Sequence, residues 1–212
     1  MPRLHRRDGS DTVMRIRPGV FFLFTAIVAV PLSAHPHVFI NNKMTVQFDE
    51  NTLKGIVFHW TFDDMFSNMI LTDYKSDKSG QFSPEVSKEM KSGSFDNLEN
   101  YHYFIALTVN GRKVAKVKIE QFSPSVEDKN KLVYTFSVPL NVPIKAVEQT
   151  VRLIVYDDTY FVAFDLLHME DVKLDAGQGV EYQTAIEKSK VKPLWPGQYM
   201  PDNLVIRFKE NQ

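Results

Sequence analysis

The sequence predicts an α+β fold, in which an antiparallel, β-sandwich-like sheet system carries an inserted EF-hand-like helix–loop–helix. Three observations predict it. Apolar and polar residues alternate after residue 37 and again after residue 101, as in strands with one buried face. Between residues 62 and 100 the apolar spacing becomes helical. The pair Asn110-Gly111, between two runs typical of strands, marks a tight hairpin.

The first predicted elements are two strands followed by a helix. Val38, Ile40, Met44, Val46 and Phe48 alternate with polar residues, and a second strand is expected over residues 55–62 after a turn at 49–51. A helix of about three turns is expected next, because the following apolar residues recur at helical spacing: Phe62, Met65, Phe66, Met69 and Ile70.

A second helix is expected after a polar loop, with Ser83 as its cap and Pro84 at its first position. Strands are then expected over residues 103–109, 113–119, 132–138, 151–156 and 160–167, which are rich in β-branched and aromatic residues. Pro139 and Pro143 should keep the segment between them out of a central strand. The sequence therefore predicts a β-rich domain over residues 35–175, with the helix–loop–helix at about 62–100. A tail over residues 176–212 is expected to pack on this domain.

The loop between the two helices resembles a calcium-binding EF-hand loop, with Gly80 at the sharp turn in position six. Such a loop needs carboxylates at positions one, three and five and a bidentate glutamate at position twelve. Here position one is Lys75 and position twelve is Val86, so Asp77 is the remaining carboxylate ligand. A register that starts at Asp73 also fails. We therefore expect an EF-hand-like loop that has lost its ion, and calcium is not an expected cofactor.

Residues 1–34 have the order of a secretory signal peptide. Arg15 and Arg17 precede an almost wholly apolar run over residues 20–30, and the segment ends in Ala34. The run is shorter than the roughly 20 residues that a membrane-spanning helix needs. We therefore expect cleavage after Ala34, a periplasmic location and no stable membrane insertion afterwards. Met14 is an alternative true start, and an uncleaved anchor is the alternative fate of the segment.

Composition excludes several classes of function. The leader holds five arginines and two aspartates, so the remaining chain has more acidic than basic side chains, which argues against nucleic acid as a partner. The absence of cysteine excludes disulfides, thiolate metal sites and cysteine nucleophiles. The sequence has no nucleophile elbow, phosphate-binding glycine loop or dinucleotide fingerprint. An enzyme is therefore not expected.

The strongest candidate for a ligand site is the start of the mature chain. Cleavage after Ala34 would give His35 a free amine, and His35 and His37 would point to the same side of a strand. These nitrogen donors suit copper, nickel and zinc. The amino-terminal copper and nickel motif uses deprotonated backbone amides as ligands, and Pro36 has no amide N–H to supply one. A third ligand must therefore come from elsewhere in the chain. The alternative is that Ala-His-Pro-His is simply a tolerated chain start.

The acidic pairs and the other histidines have ordinary explanations. Asp63 and Asp64 begin the first helix, where capping is the favoured role. Asp157 and Asp158 lie between two strands, where turn chemistry explains them equally well. The remaining histidines of the mature chain are expected to be ordinary residues in or beside strands: His59, His102 and His168.

Five segments in this order resemble one bacterial family: residues 35–40, residues 60–67, the EF-hand-like loop, residues 101–104 and residues 156–164. The set resembles the domain-of-unknown-function family number one thousand and seven. The resemblance implies a periplasmic component of an uncharacterised ABC-type transport system, often found with nickel/cobalt exporter-type membrane proteins. It also implies His35, His37, Asp63 and Asp157 as the residues of a metal site. Lys75 and Val86 depart from the family's more calcium-like loop.

Three functions follow as hypotheses. The first is a periplasmic accessory or binding component for a divalent transition metal (nickel, cobalt, zinc or copper), whose partner is an inner-membrane metal transporter or exporter. The second is a metal-free β-sandwich interaction or assembly module of the envelope, with the helix–loop–helix as its partner surface. The third, weakest hypothesis is a copper enzyme with an N-terminal histidine chelate. Metal titration separates the first two.

Overall fold

A computed structural model describes residues 36–128, 130–177, 179–190 and 200–211. The predicted signal peptide, residues 1–34, and His35 lie outside the described residues. Within the described ranges the fold is α+β with mostly antiparallel sheets, as the sequence predicts. No helix in these ranges is long and apolar enough to cross a membrane.

The first sheet is built around a long antiparallel pair. Its strands are β1 (Val38–Phe48), β2 (Thr52–Phe62), β5 (Glu120–Glu127), β6 (Lys131–Pro143), β8 (Val162–Phe164) and β9 (Val172–Asp175). The strand order is β5-β6-β2-β1-β8, and β9 also pairs with β1. Strands β8 and β9 run parallel to β1. The other pairs are antiparallel.

The second sheet has the order β10-β11-β7-β3-β4. Its strands are β3 (Ile105–Val109), β4 (Arg112–Lys113), β7 (Gln149–Val155), β10 (Val180–Lys188) and β11 (Asp202–Glu210). All of its pairs are antiparallel. The predicted hairpin at Asn110-Gly111 joins β3 to β4, and both turn residues have positive φ, at 49° and 77°. This is the conformation that an Asn-Gly turn adopts readily.

Side chains of both sheets share one hydrophobic core. Phe48 of β1 packs edge-on against Phe208 of β11, with ring centroids 5.5 Å apart. Trp60 of β2 is fully buried and meets Phe136 of β6 at 4.7 Å. Burial of large aromatic side chains dominates such a core, and truncating one of them to alanine costs about 3–5 kcal/mol. Burial also raises the pKa of Tyr134 to about 12.

The two helices lie where the sequence predicts them. Helix α1 (Asp64–Asp73) begins after the cap Asp63, and helix α2 (Pro84–Gly93) begins after Ser83, whose side chain accepts from the amide of Val86. Ser67 fixes α1 to the first sheet, because its hydroxyl accepts from the amide of Leu132 at 3.0 Å. A 3-10 segment, Phe95–Phe104, follows α2 and leaves helical geometry at residues 101–103.

The loop between the helices is held by protein donors. The Asp77 Oδ1 accepts from the amide and hydroxyl of Ser79, at 2.8 and 2.7 Å, and from the amide of Gln81 at 2.9 Å. The Ser79 hydroxyl bond is the main cause that lowers the pKa of Asp77. Gly80 turns the chain at a φ of 82°, and its carbonyl accepts from the amide of Val126 in β5. The EF-hand likeness of this loop stays a prediction.

Several strand predictions were wrong in extent. The predicted strand at 113–119 is paired only at Arg112–Lys113, and the one at 160–167 only at Val162–Phe164. Strand β6 runs through Pro139 to Pro143, but residues 139–143 pair with β2 alone. That part of β6 is an edge, where a missing amide N–H is tolerated. Strand β5, which contains Pro124, was not predicted.

The segment after residue 175 was predicted as a tail that packs on the domain, but much of it lies within the second sheet. Strand β11 lies between β7 and β10. Its alternate residues Leu204, Ile206 and Phe208 are almost fully buried. Their period of two is the signature of a half-buried strand. This strand was missed because its short apolar run lies within a mostly polar segment.

Candidate binding cleft

Three of the four predicted metal ligands lie within described residues, and the structure brings all three to the beginning of β1. Asp63 bonds to the backbone of Phe39. Asp157 bonds to the amide of Phe161, and the carbonyl of Phe161 accepts from the amide of His37 at 2.8 Å. The fourth residue, His35, is outside the described residues. What these three residues can do chemically depends on what each side chain contacts.

The Asp63 carboxylate is occupied by backbone amides. Its Oδ1 accepts from the amide of Phe66 at 2.8 Å, which caps α1, and its Oδ2 accepts from the amide of Phe39 at 2.7 Å. The amide of Asp63 itself donates to the carbonyl of Phe39. One carboxylate thus satisfies an orphan donor of the helix and joins α1 to β1. The capping role expected from the sequence is confirmed.

The Asp157 carboxylate closes the turn between β7 and β8. Its Oδ1 accepts from the amide of Thr159 at 2.9 Å, and its Oδ2 accepts from the amides of Phe161 and Val162 at 3.0 and 2.9 Å. The Thr159 hydroxyl donates to the same carboxylate. Asp157 is buried, with 6% of its surface exposed. A buried carboxylate requires such donors, and these contacts match the turn chemistry that the sequence offered as one explanation.

His37 differs from the two aspartates, because its ring is exposed and rests on the ring of Phe161, with centroids 5.1 Å apart. Across the described ranges, no group of three or more histidine, aspartate or glutamate side chains is arranged to hold a metal ion. Asp63 and Asp157 lie near His37 through the backbone contacts above, but their oxygens bind amides of their own loops.

The other histidines lie apart from this group. His59 is half-buried in the first sheet, with Nδ1 3.2 Å from the Thr135 hydroxyl and Nε2 3.4 Å from Glu127. His102 lies in the 3-10 segment at a φ of 52°, not in a strand. His168 precedes a short 3-10 turn, and its amide bonds to Asp171.

An open cleft of about 560 Å³ lies beside the start of β1, and side chains from both sheets line it. Ligand sites commonly have a volume of roughly 300–1,000 Å³ and a mostly apolar wall. Here the wall is also mostly apolar, with residues from β1, β7, β8, the segment after β8 and the entry to β11: Pro36, Phe39, Met44, Leu153, Val155, Val162, Ala163, Phe164, Leu166, Leu167, Met200 and Pro201.

Asn42 is a buried, uncharged polar residue in the wall of the cleft. It occupies a core-facing position of β1 and is 8% exposed. Its Oδ1 accepts from the indole N–H of Trp60 at 3.0 Å. Because an indole nitrogen can only donate, this contact fixes the orientation of the Asn42 amide. Within the described part of the chain, the amide nitrogen Nδ2 has no hydrogen-bond acceptor, so two donors remain for a molecule in the cleft.

The charged side chains among the described lining residues are all aspartates. Asp157 is committed to its turn, and Asp202 pairs with Lys188 at 2.7 Å. Asp158 and Asp165 are exposed, and Asp165 accepts from the side-chain amide of Asn41. The rim of the cleft is therefore anionic.

The cleft was not predicted, although the sequence carried two signals for it. Phe39 interrupts the alternation of β1, because it is apolar between the inward residues Val38 and Ile40, and it is 49% exposed. Asn42 is the one polar residue at the core-facing positions of β1 from 38 to 48. An apolar residue on the solvent face and a polar one on the core face of the same strand are typical of a binding site.

Two relatives share about two thirds of this chain. One is an uncharacterized protein of Haemophilus influenzae, 28% identical over 143 residues, which are 66% of this chain and 67% of that protein. The other is an uncharacterized 15.5 kDa protein in the trpE 3′ region of Spirochaeta aurantia, 26% identical over 139 residues, which are 66% of this chain and 98% of that protein. Residues 20–194 match the family described as protein of unknown function (DUF1007). As its sequence motifs indicated, the chain belongs to the DUF1007 family.

Proposed function

We propose that the mature chain is a non-enzymatic interaction module of the bacterial periplasm, which binds its partner in the cleft between its two sheets. The cleft itself carries this proposal. It combines an apolar wall with a few polar groups, the usual composition of a binding site. The site residues considered from the sequence contribute differently: Asp63 and Asp157 hold the loops that shape this end of the fold.

Exposed apolar side chains around the cleft support the proposal that a partner binds there. Phe39, Phe161 and Leu166 are 49%, 54% and 49% exposed. Phe39 and Leu166 line the cleft, and Phe161 packs on His37 beside it. Large apolar groups that cluster on a surface mark interaction sites more often than isolated ones do. We also propose that the EF-hand-like loop has lost its ion and takes no part in binding.

Site-specific photocrosslinking in cells tests this proposal. A photoreactive amino acid at Leu166, beside the cleft, should give a discrete adduct with an envelope protein. The same amino acid at Val147, which is 67% exposed in the connection between β6 and β7, is the matched control. An adduct from position 166 that disappears when Phe39 is changed to serine supports the cleft. Adducts from position 147 alone would overturn the proposal.

Transition-metal binding is the second candidate, and the exposed imidazole of His37 favours it. The ligands would be the free amine and imidazole of His35 together with His37, because the Asp63 and Asp157 carboxylates already accept from backbone amides. Nickel, cobalt, zinc and copper suit such nitrogen donors. In this case the partner would be an inner-membrane metal transporter or exporter.

Calorimetric titration of the purified protein with Cu(II), Ni(II) or Zn(II) tests the second candidate. Near-stoichiometric binding should weaken as the pH falls, because protonated imidazole cannot act as a ligand. His37→Ala, or one extra residue ahead of His35, should each weaken binding by about tenfold. The extra residue displaces the amine and leaves every side chain in place. Equal binding by both variants and the parent would exclude this metal site.

A further inference from the structure

We propose that the cleft and the free edge of β8 together bind an extended peptide segment of a partner protein, in which basic and apolar residues alternate. This inference rests on the proposed function, since it names the class of molecule that the same cleft binds. Three features on different elements support it: the open edge of β8, the unpaired donors of Asn42 and the aspartates at the rim.

Strand β8 is an edge strand beside the cleft. It pairs with β1 on one side, and no described strand pairs with its other side. The carbonyl of Phe161 and the amide of Asp165 both bond to β1. Because backbone groups alternate along a strand, those of Phe164 point to the free edge. An added strand could bond to them, as in the strand-addition mode of peptide recognition.

The Asn42 side chain offers the hydrogen bonds that a peptide backbone can use. Asn42 lines a cleft whose wall is mostly apolar, and the hydrogen bond from the Trp60 indole holds the orientation of its amide. Its Nδ2 carries two N–H donors and has no acceptor among the described residues. A peptide carbonyl supplies the acceptor, and apolar side chains on alternate residues fill the cleft.

The negative charge at the rim of the cleft favours a basic peptide. Asp158 and Asp165 are exposed carboxylates, and no basic residue is present among the described lining residues. A peptide with lysine or arginine at alternate positions would face this rim with charge complementarity, whereas an acidic peptide would be repelled. Because a strand presents alternate side chains to opposite faces, basic and apolar residues suit the rim and the wall respectively.

Fluorescence anisotropy with synthetic peptides tests the inference on the purified protein. The probe is a fluorescein-labelled peptide of about six residues in which lysine and valine alternate, long enough to span β8. It should bind, whereas the same peptide with glutamate in place of lysine should not. Asp158→Asn with Asp165→Asn should weaken binding about fivefold at low salt, and added salt should reduce that difference. The control double variant, Glu50→Gln with Asp175→Asn, changes the charge equally at the far end of β1 and should bind like the parent.

The backbone of the probe provides a second test that leaves the protein unchanged. N-methyl groups on alternate amides prevent strand pairing, so the probe is made in both registers and one register should lose most of its binding. Asn42→Ala should weaken binding as well, provided that its unfolding midpoint shows an intact fold, since it also removes the acceptor of Trp60.

The outcomes separate this inference from the proposed function. Equal binding by both N-methylated probes, or by the lysine and glutamate probes, would overturn the peptide inference. If a photocrosslinked partner were still found at Leu166, the cleft would remain a binding site for another class of molecule. A crosslink to a second copy of this chain would also overturn the peptide inference, because it would show that the cleft serves self-association. Absence of cleft-specific crosslinks would overturn the proposed function itself.

Discussion

Replacement of Asp157 by alanine should destabilise the fold in the absence of any metal. The Asp157 carboxylate holds the turn before β8 in shape, because its two oxygens accept from three backbone amides and one hydroxyl of that turn and of the start of β8. The amide of Val162 lies in a buried residue and would lose its acceptor. The amides of Thr159 and Phe161 belong to exposed residues, so water can replace the carboxylate there.

The expected loss follows from these contacts. A buried N–H without an acceptor costs about 1–3 kcal/mol, and each of the two more exposed bonds contributes about 0.5–1.5 kcal/mol. Their sum is about 2–6 kcal/mol and centres on about 4 kcal/mol. For a chain of this size, about 1 kcal/mol changes the unfolding temperature by roughly 2–4 °C. The Asp157→Ala variant should therefore melt about 8–16 °C below the parent.

Thermal unfolding followed by circular dichroism, with a chelator present, measures this loss. Asp158→Ala is the matched control, because its exposed neighbouring carboxylate should change the free energy of unfolding by less than about 0.5 kcal/mol. An Asp157→Ala variant that melts with the parent would refute the hydrogen-bonding role. A loss that appears only when a metal ion is added would instead favour a ligand role for Asp157.

Three further predictions concern the rest of the chain. Gly80→Ala should cost about 2 kcal/mol or more in thermal unfolding, because φ is 82° and a Cβ would lie 2.1 Å from the carbonyl of Val126. Gly93→Ala, where a Cβ meets nothing within 4 Å, is its control and should melt no lower than the parent. Millimolar calcium should change the unfolding temperature by less than about 1 °C, and a rise of many degrees would show that the loop has ligands beyond Asp77. N-terminal sequencing of periplasmic protein should begin at His35, and retention of residues 20–30 would contradict cleavage.

Local patterns in the sequence were sufficient for the elements whose causes are local. Alternation predicted β1 and β2, helical spacing and the cap Ser83 predicted the two helices, and Asn110-Gly111 predicted the hairpin. Each depends on residues within a few positions of one another, so no knowledge of distant contacts is needed. Strand β11 could also have been found, since Leu204, Ile206 and Phe208 alternate.

The sequence motifs drew attention to His37, Asp63 and Asp157, which lie at the start of β1, but they did not determine the chemistry of these residues. Whether Asp63 caps a helix or binds a metal depends on which donors surround its oxygens. The amide of Phe39, 24 positions away, donates to one of them. The same holds for Asn42, whose orientation is determined by Trp60 on the neighbouring strand. Such contacts form only when distant parts of the chain are packed together.

The sequence by itself determined the family, the α+β class and the excess of acidic over basic side chains in residues 35–212. These follow from composition, motifs and periodicity. The tertiary structure decided that β8 runs parallel to β1, that β11 enters the second sheet and that a cleft opens between the sheets. Pairing of strands more than a hundred residues apart depends on which edges and apolar faces remain available after local structure forms. Alternation of apolar and polar residues shows which face of a strand is buried, but it does not show which other strand pairs with that strand or packs on its buried face.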